Sequence, residues 1–263
     1  GIVWFNPINI LQRNFRYGSV ITLFNVIIAP FGNVKFKTYL LAEILTDCPI
    51  AIMDFSRIAF YFQEDAWMDQ VVKLSDPLYN KTPAIKWIFY CLTFLPYMWR
   101  MNQNLRKWLV YDHRLQAFNA LKYFILFLSM ICSIIYYEAH IKVFKYLYYT
   151  LKAIGCAYKY CWDLYFDWGL FHGSTPKTRF LRDQMKYTPC FYYFAMVYNL
   201  IGLYSWAIVI LIASLVQPKV EDPSQGYPIQ YYNNLMWITW IEFLLVAIRR
   251  TIWVVIRVES EFY

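Results

Sequence analysis

The final apolar stretch, Met236 to Arg257, constrains this chain most. A run of membrane character, Met236 to Ile248, meets Arg249 and Arg250 and then resumes from Thr251 through Trp253 to Ile256 before Arg257. A helix crossing the hydrocarbon core takes about 20 apolar residues, and an arginine at its centre costs about 3 kcal/mol on the mildest scale. The chain must therefore set these guanidinium groups at the membrane boundary or turn them inward to protein and water. On an unbroken helix Arg250 and Arg257 are seven residues apart and share a face, with Arg249 about 100° round it. So arranged, the cations can point into one hydrated cavity and hold an anion. The plainer reading is that the pair marks the cytoplasmic end of the span, as the positive-inside rule requires.

Composition settles the class. With 60% hydrophobic, 22% aromatic and only 16% charged residues among 263, the chain suits a bilayer rather than water. A net charge of +8 would suggest nucleic acid in a soluble protein, but here the basic residues cluster in short loops between apolar runs, where topology explains them. Nucleic acid is not an expected partner. The six cysteines, Cys48, Cys91, Cys132, Cys156, Cys161 and Cys190, lack C-x-x-C spacing, which supports neither a disulfide framework nor a zinc site. Ile2 to Phe5 reads as the tail of an apolar segment, so the expectation is that an N-terminal part of the full protein precedes this stretch.

The expected fold is all-α and polytopic. A partial N-terminal span and an interfacial helix over Ser19 to Phe31, bracketed by Arg13, Arg16, Lys35 and Lys37, lead into about six complete transmembrane helices. These fall at Thr38 to Phe62, Ala84 to Trp99, Ala117 to Tyr137, Val143 to Leu170, Phe191 to Val216 and the final stretch. Loop charge orients them. The Gln63 to Pro83 loop carries four acids against two lysines, whereas Arg100 to Arg114 carries four cations against Asp112, so the first is outside and the second inside. By alternation Phe171 to Cys190 is inside, Gln217 to Tyr227 outside, and the C-terminus cytoplasmic. Asn80-Lys81-Thr82 is a glycosylation sequon in an outside loop.

Charges recur inside these runs. Glu43, Asp47 and Asp54 form an acidic stripe on a 3.6-residue helix, with Pro49 as a kink; Asp163 and Asp167 lie one turn apart; Asn119, Lys122 and Tyr123 open another span; and Arg100 and Gln103 close the one before it. Isolated charges are too costly to face lipid, so they face protein or water. Ion pairing between helices accounts for some of them, and snorkelling accounts equally well for Lys122. An oxyanion transport site needs the same mixture, since arginine forks and a lysine bind oxygens while carboxylates align the cations or accept a proton from a protonated anion.

Five motifs follow in order along the chain: Ala29-Pro30-Phe31, Asn119-Ala120-Leu121-Lys122-Tyr123, Trp162-Asp163-Leu164 with Asp167-Trp168-Gly169-Leu170, Phe180-Leu181-Arg182, and Arg249-Arg250 with Trp253, Arg257, Glu259 and Glu261. Together they resemble the EXS domain family. This is the membrane domain of phosphate exporters of the xenotropic-retrovirus-receptor type and of related Golgi proteins. The resemblance implies phosphate binding near Glu43, Thr46, Lys122, Tyr123, Asp163, Asp167, Arg249 and Arg250. Asp47, Arg100, Trp206, Trp253 and Arg257 would support them. It also implies that an SPX domain sensing inositol pyrophosphates precedes the EXS domain in many members. Two positions depart from the exporter pattern: Leu203 replaces an arginine three residues before Trp206, and Val246 replaces a glutamate three before the arginine pair.

The expected function is therefore export of inorganic phosphate from the cytoplasm, across the plasma membrane or between Golgi lumen and cytosol. The other reading is a non-transporting membrane adaptor that retains or sorts resident Golgi and endoplasmic reticulum proteins. Expected partners are phosphate, the lipid bilayer and, through an SPX domain, inositol pyrophosphates, with a homodimer as a candidate assembly. No cofactor is called for. His113, His140 and His172 sit in or beside loops, and no nucleophile with a base partner is legible, so the chain does not read as an enzyme.

Overall fold

The computed structural model describes residues 13–28, 34–47, 83–171, 180–216 and 229–262. The elements among them are all helical. Backbone contacts divide the chain into two units, Gly1–Gly155 and Cys156–Tyr263.

In the first unit, α1 (Arg13–Ile27) packs on α2 (Phe36–Leu45). The interfacial helix expected from Ser19, with the cations outside it, already includes Arg13, and Arg16 is buried within it. Where α2 ends, the Thr46 hydroxyl donates to the Glu43 carbonyl at 2.7 Å and its backbone N–H turns to the same carbonyl. The rest of the expected Thr38 to Phe62 span, including Pro49 and Asp54, lies outside the described residues.

Helices α3 (Pro83–Tyr111) and α4 (Leu115–Ala139) form the most extensive packing in the unit. Their three-residue connection, with Asp112 at φ 52°, makes them antiparallel neighbours. The register follows from paired contacts: Tyr90 with Glu138, Phe94 with Phe127, Arg100 with Tyr123 and Asn104 with Asn119. Helix α3 does not stop at Trp99 as expected. Arg100 finds a carboxylate partner, and straight-chain helix formers carry the helix on to Tyr111, so the connection expected over Arg100 to Arg114 shrinks to residues 112–114. Helix α4 ends at His140 in the left-handed region, φ 54°. Helix α5 (Lys142–Trp162) approaches α4 closely at Gly155, where a Cβ would lie 2.5 Å from Leu126 Cδ2.

The second unit begins within α5. At Asp163–Asp167 the helix widens into one π turn, closed by Trp168 N–H donating to the Asp163 carbonyl at 2.8 Å. Helix α6 (Pro189–Leu203) opens with proline at its first position, where no amide hydrogen is needed. The expected single span over Phe191 to Val216 is broken at Tyr204, and α7 (Ser205–Val216) leaves at 53° to α6. Both pack on α8 (Ile229–Phe262), whose 34 residues form one unbroken helix about 51 Å long.

By length and apolar composition, α4 alone and the α6–α7 pair together meet the requirement for a membrane span among the described residues. Helices α3, α5 and α8 are long enough, but tyrosines and charges dilute their apolar character. Large apolar side chains face outward along α6, α7 and α8, among them Phe194, Val197, Leu211, Trp240 and Leu244.

Candidate functional site

Three helices of the first unit converge on one ion pair. Helix α2 supplies Glu43, α3 supplies Arg100 and α4 supplies Tyr123. Arg100 Nε lies 2.8 Å from Glu43 Oε2, the Tyr123 hydroxyl donates to the same oxygen, and Arg100 Nη2 donates to that hydroxyl at 3.3 Å. The guanidinium is 0% exposed; its carbon sits 3.8 Å above the Tyr39 ring, and Nη1 donates to Gln103 at 3.0 Å. Removing a charge this buried from water is costly, and the bonded carboxylate, the ring face and the amide offset that cost together. Lys122 is also 0% exposed, with Nζ 4.7 Å from the centroid of the Tyr123 ring. One turn toward the start of α4, Asn119 donates to the Tyr39 hydroxyl at 3.1 Å and to Asn104 at 3.3 Å, which completes a buried polar layer.

In the second unit the π turn sets the geometry. It buries both Asp163 and Asp167 while Tyr165 and Phe166 point outward. Asn199 of α6 bridges Asp163 to α8. Its Nδ2 donates to Asp163 Oδ2 at 3.2 Å, and its Oδ1 accepts from Arg249 Nη1 at 3.2 Å. Arg250, 6% exposed, stacks over Trp253 with its guanidinium carbon 4.8 Å from the ring centroid. Arg257 lies 3.7 Å from Asp167 Oδ1 and 3.0 Å from Glu261. Nearby, Glu259 binds Arg182 at 2.7 Å, the Tyr192 hydroxyl at 2.6 Å and the Lys186 amide at 2.7 Å.

The expected residues thus fall into two groups, each described within its own unit. Glu43, Tyr123 and Arg100 meet directly, with Lys122 beside them and Thr46 bonded to the Glu43 backbone. Asp163 and Arg249 meet through Asn199, Asp167 meets Arg257, and Trp253 carries Arg250. Asp47 lies in the turn after α2, so of the expected acidic stripe only Glu43 is placed on a described helix. Trp206 stacks on Tyr204 beside the helix break, with ring centroids 6.5 Å apart. Glu242 accepts from Ser205 at 3.4 Å, and Leu203 is buried.

Sequence reasoning missed Asn199, Gly202, Tyr39 and the role of Glu259. Asn199 did leave a signal, since it is the single carboxamide in the otherwise apolar and aromatic run of α6. Among the described residues no group of three His, Cys, Asp or Glu side chains is placed to hold a metal ion. Buried guanidinium and ammonium groups alternating with carboxylates and amides, on helices with apolar outer faces, suit an anion carried through a low-dielectric interior.

The sequence profile of the EXS family matches residues 1–263. The chain belongs to the EXS family. This EXS chain is 28% identical over 272 residues to "SPX and EXS domain-containing protein 1" of Dictyostelium discoideum, covering 98% of its own length and 26% of that protein. It is 29% identical to "Solute carrier family 53 member 1" of Cricetulus griseus, over 88% of the chain and 36% of the relative. It is 30% identical to "Xenotropic and polytropic retrovirus receptor 1 homolog" of Xenopus laevis, over 80% of the chain and 32% of the relative. The EXS chain therefore spans about a quarter to a third of the length of these curated relatives. Family membership and the solute-carrier relatives make it an integral membrane chain.

Proposed function

We propose that this EXS chain is the transport domain of an inorganic phosphate exporter, which moves the anion out of the cytoplasm through the charged interior of its helices. One observation carries the reading: all eight residues expected to bind phosphate, Glu43, Thr46, Lys122, Tyr123, Asp163, Asp167, Arg249 and Arg250, are buried. Three of them are cations. A topological marker would leave its head group at the water boundary, where positive charge costs little. Burial of Lys122 at 0% and Arg249 at 2% exposure instead suits groups that handle an anion inside the protein.

The relative named for a solute carrier family supports the transporter reading over the adaptor reading. Relatives named for both SPX and EXS domains support regulation through an SPX domain, with inositol pyrophosphates as the signal. The site is the plasma membrane or the Golgi, with the C-terminus in the cytoplasm.

The test is phosphate flux. The full-length protein reconstituted in liposomes loaded with radiolabelled phosphate should release the label faster than protein-free liposomes. If protein inserted in both orientations releases none, while resident Golgi proteins are mislocalised on its loss, the adaptor reading replaces this one.

A further inference from the structure

Asp163 presents two unlike oxygens. Oδ2 accepts from Asn199 Nδ2 at 3.2 Å, whereas Oδ1 is buried and has no hydrogen-bond partner among the described residues. The whole residue is 0% exposed, so bulk water does not satisfy that second oxygen. A buried acceptor without a donor is costly, and a ligand carrying a hydroxyl would recover that cost. Asn199 itself allows one orientation. Its NH₂ must face the carboxylate and its carbonyl must face the Arg249 guanidinium, because the reverse would set acceptor against acceptor and donor against donor. The approach of α8 is close enough for this bridge because residue 202, one turn on from Asn199, is glycine: a Cβ there would lie 2.6 Å from Arg249 Cδ.

We propose that Asn199 is the positioning residue of this site. By standing between Asp163 and Arg249 it keeps the two charges from closing on each other and aims Asp163 Oδ1 as an acceptor for a P–OH hydrogen, so that the site takes protonated oxyanions and rejects sulfate. This rests on the phosphate reading above. Phosphate carries at least one hydroxyl at neutral pH and sulfate carries none, so a carboxylate oxygen facing the ligand attracts the first and repels the second. The Arg249 fork binds either anion and does not discriminate between them.

The experiment measures phosphate binding to the purified full-length protein, with sulfate as competitor, in wild type, Asn199→Leu and Asn199→Asp. Leucine removes the bridge at similar volume. Aspartate keeps an acceptor for Arg249 and removes the donor to Asp163. Both variants should lose at least tenfold in the ratio of phosphate to sulfate affinity, a readout that a purely structural role would leave unchanged. Should Asn199→Leu fail to give monodisperse protein, Asn199→Asp decides. An unchanged ratio in the folded variants overturns the positioning role while leaving phosphate transport standing. If the wild-type protein binds no phosphate, the transport reading fails, and this inference fails with it.

Discussion

Gly202 and Arg249 share one narrow space: a Cβ on Gly202 would lie 2.6 Å from Arg249 Cδ and 3.0 Å from its Cβ and Cγ. The hydrogen atom of glycine lets the arginine stem pass, and the guanidinium then reaches Asn199. Packing at this contact thus places the charge.

Gly202→Ala should push the stem aside at the level of its Cβ, where α8 cannot yield by a rotamer change alone. Overpacking of this kind costs about 1–3 kcal/mol. Thermal unfolding in detergent should show the loss, with a fall in phosphate affinity larger than that caused by the same substitution at the open Gly18, where a Cβ would meet nothing within 4 Å. Equal effects at the two glycines would mean that Arg249 is not held by this contact.

The Glu43–Arg100 pair predicts strong coupling. Arg100→Leu leaves a buried carboxylate without its guanidinium and should destabilise the protein by about 3–5 kcal/mol. Glu43→Leu should cost a similar amount. The double substitution should cost clearly less than the sum of the two, since replacing both members of a buried pair by apolar groups is often nearly neutral. Additive losses in a thermal-stability cycle would argue against the pair.

Much of this was legible in the sequence because charge inside an apolar run is costly and so marks an interior. Asp163, Asp167, Arg249 and Arg250 stood out for that reason, and all are buried. Arg100 was also expected to support the site, but the span was ended at Trp99 and the partner of this arginine was not legible. The carboxylate that holds it lies 57 residues earlier, and no local pattern reports that pairing. The π turn at Asp163 and the break at Tyr204 were hidden too, since one widened turn or one bend hardly disturbs apolar periodicity. Asn199 went unmarked because an uncharged amide in a span raises less alarm than a charge, although its bonds join two of the expected site residues.

Glu259 should act as a latch for residues 180–188. It gathers Arg182, the Tyr192 hydroxyl and the Lys186 amide onto the end of α8. Glu259→Gln should raise hydrogen exchange across that segment by roughly the 1.5–3 kcal/mol typical of hydrogen bonds to a charged group, with little change in α3 and α4. Unchanged exchange would show that the segment is held by other contacts.

Loop charge predicts sidedness. Cysteine introduced at position 175 should react with an impermeant reagent from the cytosolic side, and cysteine at position 80 should not. The reverse pattern would invert the orientation proposed for the C-terminus.

The central claim is that the paired arginines of α8 handle phosphate, and Arg249→Lys and Arg250→Lys test it most directly. Lysine keeps the positive charge that orients the helix but loses the planar fork. Phosphate affinity of the purified full-length protein, with membrane abundance measured in parallel, should fall by about 1–3 kcal/mol in each variant, the scale of a charge-assisted hydrogen bond. Full affinity in both variants at normal abundance would contradict the account and return Arg249 and Arg250 to the role of topological anchors.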